Sequence, residues 1–92
     1  MADPELIASW ERTTAHLHAA RSALPAVSNE ADRTFADYLD HNELGLAFEV
    51  LATVAEAEGA PPQCWAALAR AADEMTLSSD DEAALLVRRH VG

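Results

Sequence analysis

The sequence predicts an all-α fold: a compact bundle of about five short helices around a central buried helix spanning about residues 42–58. Three kinds of observation lead there. No segment sustains the alternating pattern of β-branched residues that marks a strand, and no Asn-Gly hairpin occurs. Apolar residues recur instead at helical spacing. Proline, glycine and short polar clusters then punctuate the chain, leaving room only for turns between helices. At 92 residues, a single helical domain over 1–92 with one hydrophobic core is expected.

The first helix has Asp3 as a candidate N-cap, Pro4 at the first helical position and Glu5 at the positive end of the helix dipole. Leu6, Trp10, Thr13, Leu17 and Leu24 fall near one face, and Pro25 ends the run. Ser28 or Asn29 caps a second helix reaching Asp40, with Ala31, Phe35, Tyr38 and Leu39 inward. Asn42 reads as the N-cap of a third helix, with Glu43 in its first turn and Gly59 suited to the left-handed position after its end. Pro61 and Pro62 open a fourth helix with Trp65, Leu68, Ala69, Ala72 and Met75 inward. In the last segment Ser79 and Glu82 have capping-box spacing. Leu85 and Leu86 face inward there, with Val91 a further candidate, and Arg88, Arg89 and His90 sit in a final turn that favours positive charge.

The third helix is unusual. At 100° per residue, Leu44, Ala47, Phe48, Leu51, Ala55 and Glu58 fall on one side, and Leu46, Val50, Val54 and Ala57 roughly on the other. Only a strip of Gly45, Glu49, Ala52 and Glu56, with Thr53 beside it, is left for water. Such a helix is expected at the centre of the bundle. Glu49 and Glu56 lie two turns apart on the strip, roughly 10 Å at 1.5 Å per residue.

Composition narrows the function. Half of the residues are apolar, but many are alanine, so Trp10, Trp65, Phe35, Phe48 and Tyr38 are the expected packing anchors. Sixteen acids against six bases leave a formal charge of −10, and every base is arginine. That field repels phosphate backbones and anionic membranes, so direct binding to nucleic acid or membrane is not expected; it speeds encounter with a basic partner. Acidity also simply keeps a small domain soluble. One cysteine excludes an internal disulfide, and no basic stretch leads into an apolar one at the N-terminus, so a cytoplasmic location is expected.

The polar cluster Asp40, His41, Asn42 and Glu43 is the place to look for chemistry. Asp37 and His41 are spaced i, i+4, and with Glu43 they have the residue types of a metal site. The chain lacks a second histidine at helical spacing, a His-Glu-x-x-His pattern and a cysteine pair, so a tight turn between two helices is the preferred reading. Cys64 has no histidine or acid beside it and reads as a small buried thiol. The three glycines are isolated, which excludes a glycine-rich phosphate loop. No enzyme, no metal and no cofactor is expected. Trp10 stands apart, because on a long N-terminal helix it also suits a homodimer interface.

The block from about Phe35 to Leu77 resembles the MafI-type small acidic immunity proteins of bacterial polymorphic toxin systems. Phe35, Tyr38, Leu39, Asn42, Glu43, Leu44, Leu46, Ala47, Glu49, Met75 and Leu77 carry the likeness, which covers less than half of the chain. The resemblance implies a protein that binds and neutralises a cognate toxin, often a nuclease, by steric and electrostatic blocking. On that reading the partner-binding residues are expected to be Asp37, Asp40, His41, Glu43, Glu49, Thr53 and Glu56. The alternative from the residues alone is a helical structural or regulatory protein that acts as a homodimer through its first helix.

Overall fold

Local signals set where most of the helices start: a side-chain acceptor for the unpaired N–H groups opens three of them, and proline opens another. In the computed structural model, which describes residues 3–75 and 81–91, the helices are α1 (Pro4–Ala23), α2 (Asn29–Asp40), α3 (Leu44–Glu58), α4 (Pro62–Glu74) and α5 (Glu82–Val91). No strand occurs among the described residues. The Asp3 carboxylate accepts from the Glu5 N–H at 2.8 Å, and Pro4 fills the first helical position. Ser28 accepts from the Ala31 N–H at 3.1 Å, which settles the choice between Ser28 and Asn29. Asp81 opens α5 by accepting from the Ala84 N–H at 2.9 Å; Ser79, the expected cap, lies outside the described residues.

The turn between α2 and α3 corrects the expectation for Asn42, which terminates α2 rather than starting α3. It has φ 55°, and is the non-glycine residue with positive φ among the described residues. Its N–H donates to the Leu39 carbonyl at 3.0 Å, and the next N–H, of Glu43, donates to the Tyr38 carbonyl at 2.8 Å. This pair of bonds is a Schellman closure, in which asparagine tolerates the left-handed position at low steric cost. Glu43 consequently moves to the N-cap position of α3, where its side chain makes no capping bond. The same closure recurs at the end of α3: Gly59 at φ 62° donates to Glu56, and Ala60 donates to Ala55 at 2.9 Å.

Packing is organised by the antiparallel pairing of α1 with α4 and by the central position of α3. α1 and α4 form the most extensive helix pair. The start of α1 meets the end of α4 where Ser9 and Arg12 bond to Glu74, and the end of α1 meets the start of α4 where the Cys64 thiol donates to the Ala20 carbonyl at 3.4 Å. So close an approach requires small residues, and Ala20, Cys64 and Ala71 are fully buried. α3 touches each of the other four helices. Its Ala47, Phe48, Leu51, Ala52 and Ala55 are completely excluded from solvent, as are Leu17 and Leu68.

Several burial expectations change. Ala52, assigned to the wet strip, is fully buried, whereas Glu58 is exposed. The second apolar side of α3 is not enclosed: Val50 and Val54 are half-buried, and Leu46 is 41% exposed. Leu6, Leu85 and Val91 are exposed, and the buried residues of α5 are Ala84 and Val87. A stripe of periodic apolar residues identifies a face, but how far a neighbouring helix extends over it decides burial.

Two substitutions test these assignments by chemical denaturation. Asn42→Thr keeps an N-capping side chain but is strained at positive φ, so it costs about 1–2 kcal/mol, while Asn42→Gly is neutral or stabilising; a cap role for Asn42 reverses that order. Phe48→Ala removes the largest fully buried side chain and costs about 3–5 kcal/mol, a large part of a small domain's stability.

Candidate functional site

Because α1 and α4 cover one side of α3, its other side lies in a trough flanked by α2 and α5. Glu49, Thr53 and Glu56 are all exposed along it. A groove on one flank is lined by Ala31, Thr34 and Tyr38 of α2 and by Leu46, Val50 and Val54 of α3, with Glu30 and Glu49 also lining it. The groove on the other flank lies between α3 and α5; it takes in Glu49, Thr53 and Glu56 together with Glu82, Leu85 and Arg89. Glu49 and Thr53 therefore form a ridge shared by both grooves.

Of the seven residues that the sequence points to, the structure brings Glu49, Thr53 and Glu56 together along the exposed side of α3, the first two on this ridge and Glu56 on the α3–α5 groove alone. Asp37, Asp40, His41 and Glu43 are exposed but cluster at the α2–α3 turn, outside the lining of either groove. Helical phase separates them further: Asp37 and His41 continue the face of α2 that carries Glu30 and Thr34, whereas Asp40 points about 100° away from His41. Glu30, Thr34, Leu46, Glu82 and Arg89 join the site only in the folded chain. The i, i+4 spacing of Glu30 and Thr34, continued by Asp37 and His41, is a usable signal for the first two; nothing in the sequence indicates that α5 lies beside α3.

The electrostatics of the turn are set by a backbone bond and then by its acids. His41 Nδ1 lies 2.8 Å from the Asp37 carbonyl oxygen, and this bond, followed by the Asp37 carboxylate and then Glu43 and Asp40, raises the imidazole above its ordinary value. Elsewhere, arginines neutralise acids away from the trough. Arg21 holds Asp32 through paired bonds of 2.7 Å and lowers its carboxyl pKa, tying α1 to α2. Arg12 holds Glu74 at 2.8 Å and lowers its pKa. The carboxylates of Glu30, Glu49 and Glu56 form no ion pair among the described residues.

Possible chemistry elsewhere is limited. The Cys64 thiol is buried and pushed upward by desolvation, which disfavours the nucleophilic thiolate. Among the described residues no group of three or more His, Cys, Asp or Glu side chains is arranged to hold a metal ion. Nor is any helix among them long and apolar enough to cross a membrane. Trp65, 3% exposed, stacks on His90 with ring centroids 3.8 Å apart, which fastens the end of α5 to the start of α4. No known protein family, curated protein or solved structure matches the chain.

The His41 environment has a pH signature. A histidine raised in the folded state contributes its full stability below its unfolded value of 6.5, and that contribution disappears as pH rises through the higher folded value. Titration of the ring by NMR is expected to give a midpoint above 6.5. The stability difference between wild type and His41→Gln should be largest in mild acid and vanish in alkali. A midpoint at or below the ordinary value contradicts the bond to Asp37.

Proposed function

We propose that this chain is a binding protein that neutralises a basic partner, acting as an immunity protein against a cognate bacterial toxin, as the Phe35–Leu77 resemblance implies. The observation that carries the reading is the trough along α3, where Glu49 and Glu56, without an ion-pair partner among the described residues, flank half-buried apolar residues in a chain of net charge −10. A binding surface of this composition combines apolar contact with charge-assisted bonds to arginine or lysine. If the toxin is a nuclease, the cations so engaged are those that hold its phosphate substrate. The block is then both steric and electrostatic, and the acidic field of the whole domain accelerates capture. The protein has no catalytic step of its own on this reading, and it acts in the cytoplasm of the producing cell. Asp37, Asp40, His41 and Glu43 extend the acidic surface beyond the trough toward the α2–α3 turn.

A second reading has one specific observation in its favour. Leu6 and Ile7 are 46% and 40% exposed on α1, and the half-buried Trp10 lies beside them. An apolar surface there suits a homodimer, although each copy brings the same large negative charge to the contact.

Binding to the C-terminal domain of a toxin encoded by an adjacent gene, together with protection of cells expressing it, is the expected result for the first reading. Glu49→Lys combined with Glu56→Lys should weaken that complex by at least about 10-fold, or about 1.4 kcal/mol, largely through slower association. Neither affinity nor protection for any adjacent toxin domain would sink the immunity reading. Sedimentation at micromolar concentration separates the second: a dimer that Trp10→Ala dissociates favours it, and a monomeric wild type removes it.

A further inference from the structure

The sequence of α3 is that of a helix covered on nearly all sides, yet the chain leaves one of its two apolar stripes open. Leu46, Val50 and Val54 recur at i, i+4 and i+8, and Ala31, Thr34 and Tyr38 recur at i, i+3 and i+7 on α2. Two such rows, from adjacent helices in an antiparallel hairpin, form the ridges between which a third helix packs. The groove runs beside α2 from Ser28 to Tyr38, about 15 Å or roughly three helical turns. Covering it would remove from water the apolar surface that α1, α4 and α5 leave exposed.

Charge indicates what covers it. Glu30 and Glu49 line the groove from opposite sides, hydroxyls at Ser28, Thr34 and Thr53 complete its polar edge, and no basic side chain among the described residues lines it. Asp37 and His41 continue the Glu30 face of α2 past the end of the groove. The groove on the other flank of α3 differs, since Arg89 lines it among its acids. An acidic helix would meet repulsion along both edges of the α2–α3 groove, and a purely apolar one would desolvate Glu30 and Glu49 without replacing their water. A helix with aliphatic residues at its centre and arginine or lysine on its flanks satisfies both, because the alkyl stems of those cations also cover apolar surface.

We propose that the groove between α2 and α3 is the docking site for a basic amphipathic helix of the protein partner. This rests on the reading of the chain as a binding protein, and it locates the main apolar anchor at Leu46, Val50 and Val54 rather than at the acids alone. The ridge of Glu49 and Thr53 then closes over one edge of the docked helix, while Glu56 and the α3–α5 groove contact other parts of the partner.

The test uses the full chain and a synthetic peptide of ~15 residues, about four turns, with leucine on one face and arginine on its flanks; a leucine–glutamate counterpart is the control. In an amide chemical-shift titration, saturable shifts are expected at Ala31, Thr34, Val50, Thr53 and Val54 for the basic peptide only, with affinity falling at least about 10-fold between low and high salt. Thr34→Arg, which sets a cation inside the groove, should weaken binding about 10-fold or more. Gln63→Arg, the same charge change on exposed α4, should stay within about 2-fold, and circular dichroism confirms that both variants fold. Shifts centred on α5 or on Leu6 and Ile7, equal binding of the acidic peptide, or equal effects of the two variants overturn the proposal. A cognate toxin that binds Thr34→Arg undiminished removes the groove assignment but leaves the immunity reading standing. A peptide that docks as described, where no adjacent toxin binds, keeps the groove assignment and removes the immunity reading.

Discussion

The close approach of α1 to α4 is the constraint on which the rest of the molecule depends. A thiol at Cys64 donating to the Ala20 carbonyl at 3.4 Å means that the two backbones nearly touch, with little more than a Cβ between them. The chain can do this because small residues such as Ala20, Cys64 and Ala71 are buried on these helices; the same scarcity of large side chains that makes the core thin lets them close up. Dispersion contacts, each small, accumulate along such a pair at near-crystalline density. The result is a two-helix platform, pinned at its far end by Ser9, Arg12 and Glu74. On it lies α3, supplying the large residues Phe48 and Leu51, both fully buried.

From this platform the exposed trough follows. A helix resting on two others can bury at most the half of its circumference that faces them, and the short hairpin to α2 and the contact with α5 cover only its flanks. Yet the sequence of α3 is apolar over more than half its circumference. The surplus, Leu46 together with the outer sides of Val50 and Val54, is left uncovered by the other four helices. Here it is bordered by acids, which keep its rim hydrated in the free protein while leaving an apolar surface available for binding.

How legible each feature is in the sequence depends on the range of the interaction that decides it. Caps are decided within three residues, and Asp3 and Ser28 are identifiable from the chain. Asn42 is ambiguous because asparagine serves equally well at an N-cap and in the left-handed closure of a helix; the deciding bond, from the Glu43 N–H to the Tyr38 carbonyl, depends on backbone geometry that composition does not specify. Leu6, Leu85 and Val91 remain exposed because no neighbouring helix among the described residues closes over them, and the buried Ala20 and Ala84 carry too little hydrophobicity to stand out in a periodic pattern. The row of Glu49, Thr53 and Glu56 is legible because it depends on phase along one helix. The placement of Glu82 and Arg89 beside it is not, since α5 reaches α3 only through tertiary packing.

The distribution of charge gives the trough its direction. Two of the six arginines are engaged with Glu74 and Asp32, one holding α1 to α4 and the other holding α1 to α2. These pairs cancel local field on the side of the molecule built around α1. Among the described residues Glu30, Glu49 and Glu56 have no such partner, and at the α2–α3 turn the bond to the Asp37 carbonyl, followed by the charges of Asp37, Glu43 and Asp40, raises His41. On the proposed reading, a basic partner finds unpaired acids on the α2–α3 side, where the apolar stripe is exposed. Long-range attraction and short-range contact act on the same face, which is the arrangement that allows a small protein to bind quickly and then hold.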